Sequence, residues 1–283
     1  MAGGLARTSL REGASHEGFL RHKGFRWLKI ASLVSLLAIT GYAFADVQPR
    51  PNGGSWYGYS LGTVGALLIL WLTMLGVRKR SMTRGRWSLK GWTSAHAYLG
   101  LSLTVIATLH TGFQFGWNVH TFAYALMMLV ILSGIYGIVA YAALPSRLSS
   151  SRADMTRPQM IEAVAKLDRQ LQHAAQPLAD SDSAVIRACI EEDPFRAGLL
   201  RRLSGRYPAC RTARALAGIR GAESEAAEAV GLLLQRKSAI LAHIRTHLRI
   251  KALLEVWLYV HVPLTFALIA ALAAHIVSVF FYW

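Results

Sequence analysis

Negative charge is scarce in this chain, and over two long stretches charge of either sign is missing. Asp and Glu number 15 against 31 Lys and Arg in 283 residues. Between Gly91 and Ser146, and again from Val256 to Trp283, there is no Asp, Glu, Lys or Arg. Soluble domains carry about a quarter charged residues, so runs of this length exclude an ordinary water-facing surface. A hydrocarbon core takes roughly 20 helical residues to cross; the first run has room for two passes and the second for one. Cysteine is almost absent too. Cys189 and Cys210 are too few and too isolated for a disulfide framework or a metal motif, and neither is assigned a role. No GxGxxG follows a strand, so a dinucleotide-binding fingerprint is missing as well.

What the chain does have is apolar helix. Two further runs, 28–45 and 61–77, bring the count to five expected spans. The fold class read from this pattern is all-α: an integral membrane bundle of five transmembrane helices with a cytoplasmic helical insertion between helices four and five. The expected divisions are 1–25, an N-terminal cytoplasmic segment; 26–145, helices one to four; 146–251, the insertion; and 252–283, helix five. The formal net charge of +16 is a topology signal rather than a nucleic-acid footprint. Basic residues cluster before span one (Arg21, Lys23, Arg26, Lys29) and between spans two and three (Arg78, Lys79, Arg80, Arg84, Arg86, Lys90). The intervening loop has only Asp46 and Arg50, and the loop after span three has no charge. This alternation is the positive-inside pattern. It places the N-terminus in the cytoplasm and the C-terminus outside a bacterial-type inner membrane, with anionic lipid as one partner. Ala43-Phe44-Ala45 fits a signal-peptide cleavage rule, but the long preceding segment argues for a retained helix.

The insertion reads as helical. Thr156 is a candidate N-cap before Pro158, with Ile161, Val164, Leu167 and Leu171 at spacings of three and four. Asp193-Pro194 offers a second start. From about Glu223 a longer pattern places Val230, Leu233, Leu234, Leu241, Ile244 and Leu248 on one side. It is expected to run straight into span five. Span four is expected to end near Pro145, and Trp71, Trp117 and the terminal Phe280–Trp283 to lie at the membrane interface.

Four histidines stand out in the charge-free runs. His96 and His110 are fourteen residues apart, and so are His261 and His275. Fourteen residues fall about 40° short of four helical turns and rise about 21 Å, so each pair shares a helix face and reaches towards both membrane edges. Spans three and five run in the same direction, which pairs His96 with His261 at one depth and His110 with His275 at the other. Haem iron takes an axial imidazole on each side. The cofactors this arrangement implies are two haem b groups, the inner held by His96 and His261 and the outer by His110 and His275. Six-coordinate iron suits electron transfer rather than substrate binding. Arg86 and Lys90 are candidate contacts for the inner propionates. Asn118, His120, Trp117 or backbone amides serve the outer ones. His120 could also cap a helix, help to bind a quinol headgroup, or compete with His110 as outer ligand. Small residues (Ala95, Ala97, Gly100, Ala107, Gly112, Ala271, Ala273, Ala274) would let a porphyrin approach. Against this stands the plainer reading of histidines lining a bundle or proton path. His243 and His247, four apart, are a solvated helix face rather than a metal site; His16, His22 and His173 read as surface residues.

With those residues in place, the segments Trp92–Phe113 and Tyr259–Trp283 resemble the diheme transmembrane cytochrome b superfamily, which includes ferric-reductase-like membrane domains and respiratory cytochromes b. The likeness covers spans three to five, and spans one and two by hydropathy alone. It implies that the chain relays electrons across the membrane through the four histidines. Flavin- and nicotinamide-binding domains, frequent in that family, are not expected here. Electrons would enter from other subunits of a membrane redox complex, a cytoplasmic iron–sulfur or flavin donor or membrane quinol, and the outer acceptor could be an external haem protein. A self-contained quinol- or metal-reducing enzyme, and a haem-free scaffold or transporter, are the rival readings.

Overall fold

The computed structural model of the chain describes residues 18–47, 52–80, 88–149, 156–208, 210–219 and 224–281, and of 141–149 the backbone alone. Every regular element among them is helical. The α-helices are α1 His22–Phe44, α2 Trp56–Arg80, α3 Leu89–Thr111, α4 Val119–Ser149, α5 Arg157–Ala174, α6 Asp180–Ile190, α7 Leu199–Ser204, α8 Arg211–Ile219 and α9 Glu225–Phe281. The chain divides into two compact units, Met1–Val139 with Tyr259–Trp283, and Ala140–Leu258.

Four helices are long and apolar enough to cross a membrane: Phe19–Phe44 (α1 with the 3-10 turn before it), α2, the Val119–Ala140 part of α4, and α9. Helix α3 is the informative exception. Its 23 residues reach about 34 Å, enough to cross. Its hydropathy is held down by His96, His110 and six Ser and Thr residues. The reason is position. Ser94, Ala95, Leu99, Ser102, Leu103 and Ile106 are buried on α3, and the core around it draws on Ala31, Ile69, Leu72, Ala123, Met127, Leu268 and Ala271 from all four other helices of that unit. A helix covered by protein need not be apolar all round. Ser88 caps its start by accepting from Gly91 N–H, and Gly112 ends it in the left-handed conformation at φ 58°.

The second unit is a bundle with its own core. Leu171, Ile186, Cys189, Ala215, Val230 and Leu234 form one cluster, and Met160, Val164, Ile244 and Leu248 another. Helix α5 starts as expected: Thr156 N–H donates to Gln159 Oε1 at 2.7 Å, half of a capping box.

Several expectations need correction. Met160, not Ile161, is the buried residue of the first turn of α5; Ile161 is 47% exposed. One step along the sequence turns a side chain 100° around a helix. Asp193-Pro194 opens only a 3-10 turn, Pro194–Arg196, in which Asp193 Oδ1 accepts from Phe195 N–H. Extended backbone at Ala197 and Gly198 stops it. Helix α4 passes through Pro145 to Ser149, because proline removes a single N–H while the remaining bonds continue. Trp71 stacks on Trp92 with centroids 4.6 Å apart, which leaves its expected place at the interface untouched.

Candidate functional site

All four membrane histidines lie in the first unit, and their rings meet in two pairs. The centroids of His96 and His261 are 6.5 Å apart, and those of His110 and His275 are 5.9 Å apart. Because low number meets low and high meets high, α3 and α9 run parallel. A metal–imidazole bond is about 2 Å, and the ring centre lies about 1 Å behind the nitrogen, so two imidazoles on opposite sides of one metal atom stand about 6 Å apart. Both pairs match that separation. The angles between ring planes, 66° and 84°, are compatible with it, since axial ligands rotate freely about a shared axis.

The ring nitrogens are assigned by what they touch. His96 Nδ1 lies 3.0 Å from Leu72 O, and His110 Nδ1 lies 2.8 Å from Gly58 O. A carbonyl oxygen only accepts, so in both rings Nδ1–H donates and the lone pair of the neutral imidazole is on Nε2. Ser133 Oγ donates its single proton to Val130 O at 2.8 Å and sits 2.7 Å from His261 Nδ1. The Ser133 hydroxyl thus lies against Nδ1 of His261 as the carbonyls lie against the other two rings. The fourth ring, His275, has its Nδ1 2.6 Å from Nδ1 of His120. Metal-bound histidines almost always donate their second ring N–H in this way, which fixes tautomer and orientation.

These partners follow a pattern that side-chain reading missed. Gly58 and Leu72 are fourteen residues apart on α2, the same interval as His96 and His110 on α3, in reversed order. Two antiparallel helices thus hold one histidine set, with α2 supplying carbonyls at both depths. Helix α4 serves α9 likewise, through Ser133 and His120. Glycine lets His110 lie close: a Cβ at Gly62 would stand 2.7 Å from its Cε1, whereas one at Gly134 would meet His261 Cε1 at an ordinary contact of 3.7 Å. The sequence signals were Gly58-x3-Gly62 on α2 and Ser133-Gly134 on α4, neither of which contains a ligand type.

The remaining expected residues fall as follows. His120 does not cap α4. Asn118 is the cap, its Oδ1 accepting from Thr121 N–H at 2.9 Å, and His120 bonds the far nitrogen of His275. That use commits Asn118 Oδ1. Trp117 is fully exposed. Lys90 is exposed in the first turn of α3, while Arg86 lies outside the described residues. His243 and His247 are half-buried on α9. Among the described residues no group of three or more His, Cys, Asp or Glu is arranged to hold a metal ion, so the sites on offer are two-ligand sites. Comparison with family models, with curated proteins and with solved structures finds no match to this chain.

In the second unit Cys189 and Cys210 are free thiols. Burial pushes the Cys189 thiol above its ordinary range, which disfavours the reactive thiolate. Lys237, fully buried, donates to Asp168 Oδ1 at 2.5 Å and to Cys189 O at 2.7 Å.

Proposed function

We propose that this chain is a diheme b-type cytochrome that relays electrons across a membrane as one subunit of an oxidoreductase complex. The observation that carries the reading is the doubled geometry: two imidazole pairs at the spacing of a shared metal atom, with Nδ1 of each ring engaged by a protein group. Haem b, when bound, would supply a one-electron iron couple. The residues do the rest. His96 and His261 would hold the inner group, and His110 and His275 the outer. Leu72 O and Gly58 O accept from Nδ1–H of their rings and Ser133 Oγ lies against Nδ1 of His261, which would leave Nε2 of each ring for a metal. The exposed Lys90 and, from the sequence, Arg86 are the cations for inner propionates.

Helix α3 is then a fifth span, whose low hydropathy is explained by burial and by its ligands. The distribution of Lys and Arg supports a cytoplasmic N-terminus and an outer C-terminus in a bacterial-type inner membrane. Donor and acceptor are quinol, an iron–sulfur or flavin subunit, and an external haem protein; the unit Ala140–Leu258 is the docking surface for another subunit.

Purified full-length chain should show a b-type alpha band in its reduced-minus-oxidised spectrum and two haems per chain in a pyridine assay. His96→Ala and His110→Ala should each remove about half of the haem, because each pair binds separately. Wild-type protein without haem would return the chain to a histidine-lined scaffold or transporter.

A further inference from the structure

In three of the four rings Nδ1 meets an oxygen: a carbonyl for His96, a carbonyl for His110 and a hydroxyl for His261. His275 differs. Its Nδ1 meets a second imidazole, Nδ1 of His120, at 2.6 Å, with ring centroids 4.6 Å apart and planes at 87°. No atom fits between nitrogens that close, so this is a direct hydrogen bond and not a ligand pair; His110, at 5.9 Å, keeps the ligand spacing.

We infer that His120 is a positioning residue that holds His275 in its ligating tautomer and makes it the most electron-rich of the four rings. The inference rests on the diheme reading above and adds an asymmetry between the two sites. For Nε2 of His275 to face a metal, its Nδ1 must carry the proton and donate it, so His120 Nδ1 accepts and its own proton is on Nε2. An imidazole nitrogen is a stronger base than a carbonyl or hydroxyl oxygen. It draws the shared proton further, leaves more negative charge on the His275 ring, and raises that ring's ligand strength. A more basic axial ligand favours ferric over ferrous iron and lowers the reduction potential. The backbone that carries His120 is capped. It sits in the first turn of α4, where Asn118 Oδ1 accepts from Thr121 N–H and Thr121 Oγ1 accepts from Gly116 N–H at 3.1 Å.

The test is a redox titration of the full-length holoprotein, with the outer couple identified as the one lost in His110→Ala. In His120→Ala the ferrous-to-ferric ratio of the outer couple, at fixed ambient potential, should rise about tenfold, which for one electron is about 59 mV upward. The inner couple should stay in place and so reports that the bundle is folded. His120→Asn puts an amide oxygen where Nδ1 was and should recover the bond in part, leaving the outer couple between wild type and His120→Ala. Selective loss of the outer haem in His120→Ala, with retention in His120→Asn, also supports positioning.

An outer couple that moves less than threefold in His120→Ala, with both haems bound, overturns the inference and leaves the diheme reading intact. So does loss of the outer haem in both variants, while its survival in His110→Ala would make His120 a ligand and overturn both the inference and the place given to His110. Wild-type chain without haem overturns both.

Discussion

The two units of this chain both bury leucine and isoleucine, but they differ in what they expose and in the polar groups they enclose. In the first, leucines and phenylalanines face outward: Leu36 is 60% exposed, Leu67 62% and Phe280 75%, while Ser94, Ser102 and Ala95 are inside. In the second, Leu171, Leu234, Leu241 and Ile244 are completely buried and the arginines of α7 and α8 lie towards the surface. The contrast shows that the solvent, not the side chain, decides which face turns inward. Water drives apolar surface together; lipid tails are as apolar as leucine and give no such drive, so small and hydrogen-bonding residues take the interface. Each unit also solves its buried polar groups in its own way. The first offers helix carbonyls and a hydroxyl to neutral imidazoles. The second pairs charges, with Lys237 against Asp168.

The charged solution is the one most easily broken. Asp168→Asn leaves the buried Lys237 ammonium without its counter-charge, and breaking a buried pair on one side costs about 3–5 kcal/mol. Amide hydrogen exchange in the full chain should show faster opening around positions 168, 189 and 237. Adding Lys237→Met should recover most of the loss, since an apolar replacement of the whole pair is often neutral. If the single variant exchanges at the wild-type rate, the ion pair contributes nothing and the contrast between units loses one side.

That pair also marks where reading the sequence stopped short. Val230, Leu234, Leu241, Ile244 and Leu248 were legible as the buried stripe of α9, and Lys237 lies in the same stripe at the same spacing. A lysine in such a position reads as the edge of a face, and its partner Asp168 is 69 residues away. The pairing of His96 with His261 and of His110 with His275 was legible because the residue type stands out in an apolar run and because the interval of fourteen repeats. The oxygens that meet their rings were not. Leu72 and Gly58 act through backbone oxygen, which every residue has, and Ser133 is one serine among many until the fold brings it to His261. The length of α4 past Pro145 was hidden for a related reason, since one lost hydrogen bond does not announce whether its neighbours hold.

Leucine truncation measures the contrast directly. Leu241→Ala removes a side chain buried in the second unit and should cost about 3 kcal/mol, within the range for leucine cavities. Leu36→Ala removes an equal volume from an outward face of α1 and should change stability by less than about 0.5 kcal/mol, as for surface sites. Denaturant unfolding of the full chain in mixed lipid micelles, followed separately in each unit by hydrogen exchange, reads both. Equal costs would mean that Leu36 is covered by protein, and the first unit would then be packed by the same rule as the second.

Ser133→Ala makes the smallest change and addresses the neutral solution of the first unit. It removes the hydroxyl that lies 2.7 Å from His261 Nδ1 while leaving Gly134 in the sequence. Side-chain hydrogen bonds between membrane helices average about 0.6 kcal/mol and reach about 1.7, so a loss of about 1 kcal/mol in the same micelle assay is expected. The reference matters here. His96 and His110 bond to carbonyls that no side-chain substitution removes, so only the α9 histidines have partners that can be deleted one at a time. Ser133→Thr keeps a hydroxyl at the same place and should restore the wild-type value. If alanine and threonine give the same stability and the same haem content, the 2.7 Å contact is incidental, and α4 does not serve α9 as α2 serves α3.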